Sequence, residues 1–413
     1  MRTDIAVVGG GAAGMFAAVR AAELGAKVTL VERNPKLGRK LGITGKGRCN
    51  LTNDCDATTV IKNTPRNGRF LFSALAAFSP SDTKDWFESR GVPLKTERGQ
   101  RVFPTSDKAS DIVDCLRHEL GKAGVKIVNS RVTSLLLDSE SVTGLKCADC
   151  DIECKAVILA TGGLSYPGTG STGDGYDFAR LAGHTIEPTA ASIVPLNASH
   201  PDCSKMMGLG LKNVKVTAFT SEGKQVYDDF GELLFTHFGI SGPVVLSMSA
   251  HLRDFSKTKY YVKIDLKPAL DEQKLDTRIL RDFGEHPNKT LENVLGALEP
   301  RAMIEPLLAQ AGIDGEKRVN EVTREERRAL IEAVKGFRVD ITSARPVEEA
   351  VVTSGGVSVR EIDPKTMRSK LVDGLYFAGE IMDVDAYTGG FNLQIAWSTG
   401  YVAGTTAAEE VLG

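Results

Sequence analysis

The sequence predicts an α/β fold that is interrupted first by a β-rich segment and then by a helical segment. Continuous apolar runs at 5–8 and 156–160 each lead into glycines, which is typical of buried parallel strands that end in a turn. From 193 to 266 the pattern changes to strands, from 271 to 335 it is helical and charged, and after 350 buried-strand sequence returns. We therefore predict three domains: a discontinuous domain of residues 1–190 and 350–413, a β-rich insertion of residues 191–268 and 337–349, and a helical insertion of residues 269–336.

The stretch from Asp4 to Glu32 has the pattern of a strand, a glycine turn, a helix and a second strand. Gly9, Gly11 and Gly14 match the dinucleotide-binding fingerprint of a Rossmann domain, in which the glycines permit a tight turn, close approach of a pyrophosphate and close helix packing. The helix N-terminus offers unpaired N–H groups to the anion. Glu32 is placed to accept hydrogen bonds from an adenosine ribose, which argues against a 2′-phosphate there. FAD and NAD share this ADP half, so this stretch alone leaves both open.

Composition sets limits on the partners and the compartment. The chain has 413 residues, a net charge of −2 and a pI of about 6.4, which gives no electrostatic footprint for nucleic acid or anionic lipid. No leader precedes the first strand and no apolar run is long enough to span a membrane, so we expect a cytoplasmic protein with reduced cysteines. Cys147 and Cys150 form a CxxC on a predicted hairpin without further ligands, and no metal site is predicted.

The segment from 33 to 53 is rich in glycine, basic and amide residues, and we predict a functional loop. An NAD enzyme would normally return to a short helix here, whereas a flavin enzyme must keep supplying backbone along an extended cofactor. Arg39 and Lys40 are candidates to meet phosphates, and the turn from Thr44 to Asn50 is a candidate to lie beside the flavin ring. A mobile surface loop is the alternative interpretation.

The next part of the chain, up to about residue 155, is predicted to cover the sheet. It contains helices between 67 and 122, including one from Ser110 to Leu120, followed by short strands in a meander at 125–128, 132–137, 142–146 and 152–155. A second glycine pattern, Gly168, Gly170 and Gly173, begins well after the strand that ends at Ala160. We interpret it as a loop leading into a helix at 174–182, and a second dinucleotide site is the less favoured alternative.

The β-rich insertion contains the candidate catalytic residue. In the run Thr236 to Pro243, Ser241 is predicted to cap a helix that starts at Gly242 and Pro243. His237, between Phe235 and Phe238, is a candidate proton donor or substrate anchor, and a histidine with no catalytic part is the alternative. We expect the substrate to lie over the flavin between the first domain and the insertion, because ligand sites favour domain interfaces.

The C-terminal segment discriminates between the two cofactors. A buried strand at 374–378 ends in Gly379 and Glu380, and a glycine pair at 389–390 precedes a small-residue helix at 395–409. An acid at a strand end can accept a ribityl hydroxyl, and a helix N-terminus can stabilise the negative charge of a reduced flavin. A domain that binds NAD alone does not require this second acidic strand end with the helix that follows it. The hypothesis requires that the two distant ends of the chain meet around one long cofactor.

These residues resemble the BaiN-like NAD(P)/FAD-dependent oxidoreductases, also called aminoacetone oxidase family FAD-binding enzymes. The resemblance covers essentially the whole chain and rests on the segments 9–14 with Glu32, 45–53, 160–163, 235–243 and 379–397. It implies a glutathione-reductase-like FAD domain built from both chain ends, a central β-rich domain and a small helical domain. It implies bound FAD, and the candidate cofactor-binding residues are Gly9, Gly11, Ala12, Ala13, Gly14, Glu32, Arg33, Arg39, Lys40, Gly45, Asn50, Val132, Thr161, Gly162, Gly379, Glu380, Asp383, Asn392 and Leu393.

The sequence departs from the disulfide reductases of the wider superfamily. Cys49 and Cys55 have neither the CxxxxC spacing nor the helix placement of a redox-active pair. We therefore predict hydride transfer between bound FAD and a small organic substrate, with NADH or NADPH as a transient electron donor. Two alternatives stay open, namely an NAD-dependent dehydrogenase without flavin, and a flavin-binding protein that recognises a partner or modifies RNA. The sequence leaves the substrate and the oligomeric state open.

Overall fold

The computed structural model describes residues 1–199 and 202–413. In chain order, the strands of this part are β1 (Ile5–Val8), β2 (Val28–Glu32), β3 (Thr52–Asn53), β4 (Leu94–Glu97), β5 (Arg101–Pro104), β6 (Lys126–Asn129), β7 (Val132–Asp138), β8 (Ser141–Cys147), β9 (Asp151–Glu153), β10 (Ala156–Leu159), β11 (Ile186–Ser192), β12 (Leu196–Ala198), β13 (Gly210–Thr220), β14 (Gln225–Thr236), β15 (Gly239–Ser241), β16 (Tyr260–Asp265), β17 (Phe337–Ala344), β18 (Val352–Val357) and β19 (Leu375–Phe377). The α-helices are α1 (Ala12–Glu23), α2 (Arg39–Gly47), α3 (Ala57–Lys62), α4 (Phe72–Ala77), α5 (Pro80–Glu88), α6 (Ala109–Lys122), α7 (Asp174–Leu181), α8 (Pro243–Ser249), α9 (Glu272–Glu285), α10 (Leu291–Leu295), α11 (Arg301–Ala311), α12 (Arg324–Lys335) and α13 (Phe391–Leu412).

The chain divides into two units, the first formed by Met1–Ser192 with Val347–Gly413 and the second by Ile193–Pro346. At the centre of the first unit is a parallel sheet with the strand order β19-β10-β1-β2-β6. Strand β1 is fully buried between β10 and β2, as its apolar sequence requires. After β1, the next strand of the sheet, β2, lies on one side of β1, and the later strands β10 and β19 lie on the other side. This reversal of the strand order opens a crevice at the carboxyl end of β1. The predicted α/β fold is confirmed, and both ends of the chain contribute to one sheet.

Helices α1 and α13 pack against each other through small residues. A Cβ atom on Gly404 would lie 2.5 Å from the carbonyl oxygen of Ala17, and one on Gly400 would lie 2.7 Å from that of Ala13. Neither distance is possible between real atoms, so glycine is required at both positions. Because α1 follows β1 and α13 follows β19, this contact fixes the C-terminal segment beside the first glycine turn.

Three small antiparallel sheets complete the first unit, with the orders β3-β5-β4, β7-β8-β9 and β11-β18. Strands β7 to β9 form the predicted meander. The prediction for residues 125–128 is wrong in its placement, because β6 pairs in parallel with β2 and belongs to the central sheet. Helix α6, which matches the predicted helix from Ser110 to Leu120, is the crossover that makes this parallel pairing possible.

The predicted loop at 33–53 contains a short helix, which corrects the sequence interpretation. Gly38 takes a left-handed conformation (φ 68°) and starts α2, whose Leu41 is buried in the core of the first unit. The helix is interrupted at Thr44 to Lys46, where Gly45 and Lys46 have φ values of 57° and 60°. The predicted turn after Thr44 is therefore present, and it is preceded by a helical turn that packs Leu41 into the core.

The second unit is a closed barrel with the order β12-β15-β14-β13-β16-β17, packed against helices α8 to α12. One hydrophobic core joins barrel residues such as Val216 and Phe235 to helical residues such as Leu275 and Leu330. The barrel and the helices thus share a core, and their division into separate domains stays a prediction. The helix after residue 242 is present as α8, but Ser241 lies in β15 and does not cap it; Gly242 occupies the N-cap position and Pro243 the first turn.

All seven cysteines are free thiols, and Cys147 and Cys150 face each other across the turn of the β8–β9 hairpin. Among the described residues, none of the helices combines the length and apolar character that crossing a lipid bilayer would require.

We predict that Gly404→Val destabilises the protein, because the added side chain meets the backbone of Ala17. The expected loss in the free energy of unfolding is about 2 kcal/mol or more, measured by urea denaturation. Glu409→Val, on the exposed side of the same helix, is the matched control, with an expected loss below about 0.7 kcal/mol from helix propensity alone. Equal losses in both variants would show that the α1–α13 contact is not tight.

Candidate cofactor site

The first glycine turn has the geometry of a phosphate-binding turn. Gly9 has φ 108° and donates its N–H to the carbonyl of Val31 at 2.9 Å. A Cβ atom on Gly14 would lie 1.9 Å from the carbonyl oxygen of Gly9, so only glycine allows the helix to start so close to the turn. At Gly11, the N-cap of α1, a Cβ would meet no described atom within 4 Å. The N-terminus of α1 therefore faces open space, where an anion can approach its N–H groups.

The carboxylate of Glu32 is fixed by the backbone around it. Oε2 accepts a hydrogen bond from the N–H of Gly10 at 2.7 Å, and Oε1 accepts two from Asn34, one from its backbone N–H at 2.8 Å and one from Nδ2 at 2.7 Å. Three of the four acceptor positions of the carboxylate are thus occupied, and one is left for a ligand hydroxyl. Asn34, which sequence reasoning missed, also accepts a bond from Arg39 Nη1 at 2.8 Å.

A cleft lies at the carboxyl ends of β1, β2 and β10. Its walls include the predicted residues Gly9, Glu32, Arg33, Val132 and Thr161. They also include residues that were not predicted, namely Ser130, Arg131, Thr172 and Asp174. Gly170 and Gly173 of the second glycine pattern line the same cleft and lead into α7, in agreement with the loop interpretation.

Asp174 orients two arginines of this cleft. Its Oδ2 lies 3.2 Å from Nη1 of Arg33 and 3.0 Å from Nε of Arg131. Burial alone would raise the pKa of Asp174, but hydrogen bonds from Thr172 and Arg131 and the two positive charges hold it below its usual value. Fixed planar guanidinium groups are suited to stack on an aromatic base. The hydroxyl of Thr161 is buried and no described residue is bonded to it, which fits a partner supplied by a ligand.

A second carboxylate, that of Glu380, follows β19, which lies on the β10 side of β1 in the sheet. Glu380 Oε2 lies 2.6 Å from Lys40 Nζ, and Oε1 accepts bonds from Ser165 Oγ at 2.8 Å and from the N–H of Thr353 at 2.9 Å. Burial would raise the pKa of Glu380, but the Lys40 ammonium and these hydrogen bonds lower it, so the carboxylate is charged. Lys40 was predicted near phosphates, and in the structure its ammonium contacts Glu380 and Ser165.

Asp383 and Asn392, both predicted along the flavin, are held by bonds within the chain. Asp383 is buried and lies 3.0 Å from Arg66 Nε and 2.9 Å from Asn67 Nδ2, while burial raises its pKa to about 6 against the effect of Arg66. Asn392 bonds both backbone groups of Ala386 at 2.9 and 2.7 Å, so its amide shapes the loop before α13. Arg66 and Asn67 come from a distant segment, and no sequence signal pointed to them.

The turn that follows α2 is strained and buried at Cys49. Cys49 has φ 59° and is fully buried, and burial raises the pKa of its thiol to about 12, so it is not a reactive thiolate. Gly45 packs beside Asn50, since a Cβ on Gly45 would lie 3.1 Å from the backbone nitrogen of Asn50. Asn50 Oδ1 is buried, and no described residue donates a hydrogen bond to it. Unpartnered atoms at Asn50 and Thr161 thus occur at two predicted cofactor positions, which fits a long ligand.

The candidate catalytic residue lies in the second unit. His237 is exposed in the two-residue turn of the β14–β15 hairpin, where Thr236 pairs with Gly239. Its ring meets Phe238 edge-on at 5.0 Å, and the guanidinium of Arg345 lies 4.6 Å above the Phe238 ring. Its role stays a prediction.

The sequence is similar to known proteins over almost its whole length. The family model described as HI0933-like protein Rossmann domain matches residues 3–406. The chain is 34% identical over 412 residues to the 3-dehydro-bile acid delta(4,6)-reductase of Clostridium scindens, covering 98% of this chain and 99% of the relative. It is also 34% identical over 404 residues to the ribosomal RNA dihydrouridine synthase of Escherichia coli, covering 97% and 96%.

The fold is also found in solved structures. The 3-ketosteroid-delta4-(5alpha)-dehydrogenase of Rhodococcus jostii RHA1 superposes with a TM-score of 0.53 at 16% identity, covering 98% of this chain and 97% of that one. At this identity the similarity concerns the fold alone.

We predict that Glu32→Gln weakens the binding of ADP. The amide keeps the shape of the side chain but replaces one acceptor oxygen by a donor, so the bonds from Gly10 and Asn34 and from a ribose hydroxyl cannot all be made. The expected loss is about tenfold in Kd, measured by calorimetric titration. Glu153→Gln, at an exposed position of the same unit, should bind ADP as the unmodified protein does. Unchanged affinity in Glu32→Gln would place the adenosine elsewhere.

Proposed function

The chain belongs to the HI0933-like family of FAD-dependent oxidoreductases, and we propose that it reduces a carbon–carbon double bond that is conjugated to a carbonyl group. The resemblance to BaiN-like flavoproteins is confirmed by the family match. The observation that carries the proposed reaction is the equal identity, over nearly the whole chain, to two relatives whose names describe this kind of reduction.

The two names concern different substrates but one chemical change. A delta(4,6)-reductase of a 3-dehydro steroid and a synthase of dihydrouridine both saturate a carbon–carbon double bond near a carbonyl. Such a reduction adds a hydride to one carbon and a proton to the other. FAD supplies the hydride when it is bound and reduced, and the protein must bind the substrate and place a proton donor.

The geometry of the first unit supports FAD over NAD alone. The open N-terminus of α1 and the cleft at Glu32 suit an ADP half. Directly beside them, Gly379 packs on α1, since a Cβ there would lie 2.8 Å from Cβ of Ala13. Glu380 follows Gly379 directly in the chain, and its carboxylate is our candidate partner for the ribityl chain, which continues from the pyrophosphate in FAD and has no counterpart in NAD.

We assign His237 as the proposed proton donor or substrate anchor. Its position in an exposed hairpin turn leaves the imidazole accessible, and Phe238 beside it offers an apolar surface that Arg345 covers on one face. Imidazole is the side chain best suited to proton transfer near neutral pH. NADH or NADPH is the proposed source of electrons, as a transient visitor.

A ribosomal RNA uridine is the second candidate substrate, because the E. coli relative acts on ribosomal RNA by its name. The net charge of −2 favours a small molecule over RNA. The two candidates differ in whether ribosomal RNA should reoxidise the reduced flavin.

The test follows the colour of the bound flavin without oxygen. NADH or NADPH should bleach the yellow protein, and a 3-oxo-4-ene steroid should then restore the absorbance of oxidised flavin while its double bond is saturated. Unmodified ribosomal RNA should leave the protein bleached. If RNA restores the absorbance of oxidised flavin and dihydrouridine is found in the product, the second candidate is favoured. If neither the steroid nor RNA restores the absorbance and only oxygen admitted afterwards does, both candidates are contradicted.

We predict that His237→Ala slows the reoxidation of the reduced protein by its substrate. The expected decrease is about 100-fold or more if the imidazole donates the proton, measured by stopped-flow absorbance. FAD content and bleaching by NADH should not change. His286→Ala, an exposed histidine of the same unit, is the control. Unchanged reoxidation in His237→Ala with FAD bound would show that the assignment of His237 is wrong.

A further inference from the structure

Lys40 and Ser165 form a small, partly buried network with Glu380. Lys40 Nζ lies 2.6 Å from Ser165 Oγ and 2.6 Å from Glu380 Oε2, and Ser165 Oγ donates to Glu380 Oε1 at 2.8 Å. The three side chains come from α2, from the segment after β10 and from the end of β19. Their contacts close a triangle that joins distant parts of the chain.

The backbone on both sides fixes this triangle. The N–H of Thr353 donates to Glu380 Oε1 at 2.9 Å, and Thr353 Oγ1 accepts the N–H groups of Leu164 and Ser165 at 2.8 and 3.1 Å. A Cβ on Gly163 would lie 2.4 Å from Thr353 Oγ1, so the segment is pressed against β18. These contacts hold the backbone at Ser165 in place, so that its hydroxyl is directed at the Glu380 carboxylate.

The bonds leave Glu380 one free acceptor. Oε1 accepts two hydrogen bonds and Oε2 accepts one from Lys40, and a carboxylate has about four acceptor positions. The remaining position belongs to Oε2, and its direction is set by the Lys40 contact. A hydroxyl of a ligand can be accepted there without displacing any partner.

We propose that Lys40 and Ser165 are positioning residues that hold Glu380 as an oriented carboxylate for the ribityl hydroxyls of FAD. Lys40 then acts on the cofactor through Glu380 and not through the phosphates. This inference rests on the placement of FAD in the proposed function and is independent of the substrate.

The charge on Glu380 depends on Lys40. The groups that face Glu380 are Lys40, Ser165, Thr353 and the Tyr176 phenol of α7, whose pKa is raised by burial and by Glu380 and Asp383. Helices α1 and α13 contribute the uncharged side chains of Ala13 and Thr399 beside Gly379. Of these groups, Lys40 supplies the positive charge. If it is removed, burial disfavours the carboxylate, and the pKa of Glu380 must rise.

This dependence has a signature in the pH profile of cofactor binding. In the unmodified protein Glu380 stays ionised, because its pKa is lowered below the usual range of glutamate. In Lys40→Met the carboxyl takes up a proton as the pH falls, so FAD affinity should decrease from pH 8 to pH 5.5 more steeply than in the unmodified protein. Asp383, with a pKa of about 6, also titrates in this range, but it is present in both proteins. Its contribution therefore cancels in the ratio of the two FAD affinities at each pH.

The experiment measures the Kd of FAD and of ADP for the apoprotein at several pH values. Lys40→Met should weaken FAD binding about tenfold at pH 6 and less at pH 8, whereas Lys40→Arg should stay within about threefold of the unmodified protein. ADP lacks the ribityl chain, and its Kd should not change in either variant. Lys36→Met, an exposed lysine just before α2, is the matched control.

Two further variants keep the test decisive. Glu380→Gln should weaken FAD binding on its own, and Lys40→Met should then add neither further loss nor further pH dependence in the double variant. Ser165→Ala, a smaller change for the case that Lys40→Met does not fold, should weaken FAD but not ADP. If Glu380→Gln has no effect, the placement of FAD is wrong. If Glu380→Gln weakens FAD but Lys40→Met does not, or if Lys40→Met weakens ADP equally, the positioning role is overturned.

Discussion

The contact between α1 and α13 is the constraint on which the first unit depends. Gly400 and Gly404 lie against the carbonyl oxygens of Ala13 and Ala17, and any larger side chain would push the helices apart. Thr399 of the same helix accepts the N–H of Gly379 at 3.0 Å, so α13 also holds the end of β19. Dispersion contacts of this density fix a distance more sharply than apolar burial alone can. The first glycine turn from one end of the chain and Glu380 from the other are thereby brought to the same edge of the sheet.

Four acidic side chains of the first unit each have a fixed partner. Glu32 accepts backbone and amide N–H groups, Asp174 faces two arginines, Glu380 faces Lys40, and Asp383 faces Arg66. A buried charge without such a partner would cost several kcal/mol or be lost by protonation. The same partners set the direction of the remaining lone pairs, so charge compensation and recognition of ligand hydroxyls are provided by one set of bonds.

The sequence predicted the features that rest on local pattern. The turn from Gly9 to Gly14, the buried strand β19 and most of α13, predicted at 395–409, follow from glycine positions and apolar periodicity within short windows. The errors concern features that depend on distant partners. Strand β6 was placed in the covering layer because its own four residues do not show which strand they pair with. Helix α2 was missed because polar residues surround Leu41. The pair of Lys40 and Glu380 joins residues 340 positions apart, and Arg66 and Asn67 reach Asp383 across a similar separation. No single-sequence pattern carries such pairings.

The insertion of the second unit between β11 and β18 also sets an order of events during synthesis. On the ribosome, α1 emerges long before α13, since the whole barrel and its helices separate residue 23 from residue 391. Until then the small-residue face of α1 is uncovered and β10 has no β19 beside it. The barrel can therefore fold while the central sheet still lacks its last strand, and the first unit can close only after β19 and α13 have been made.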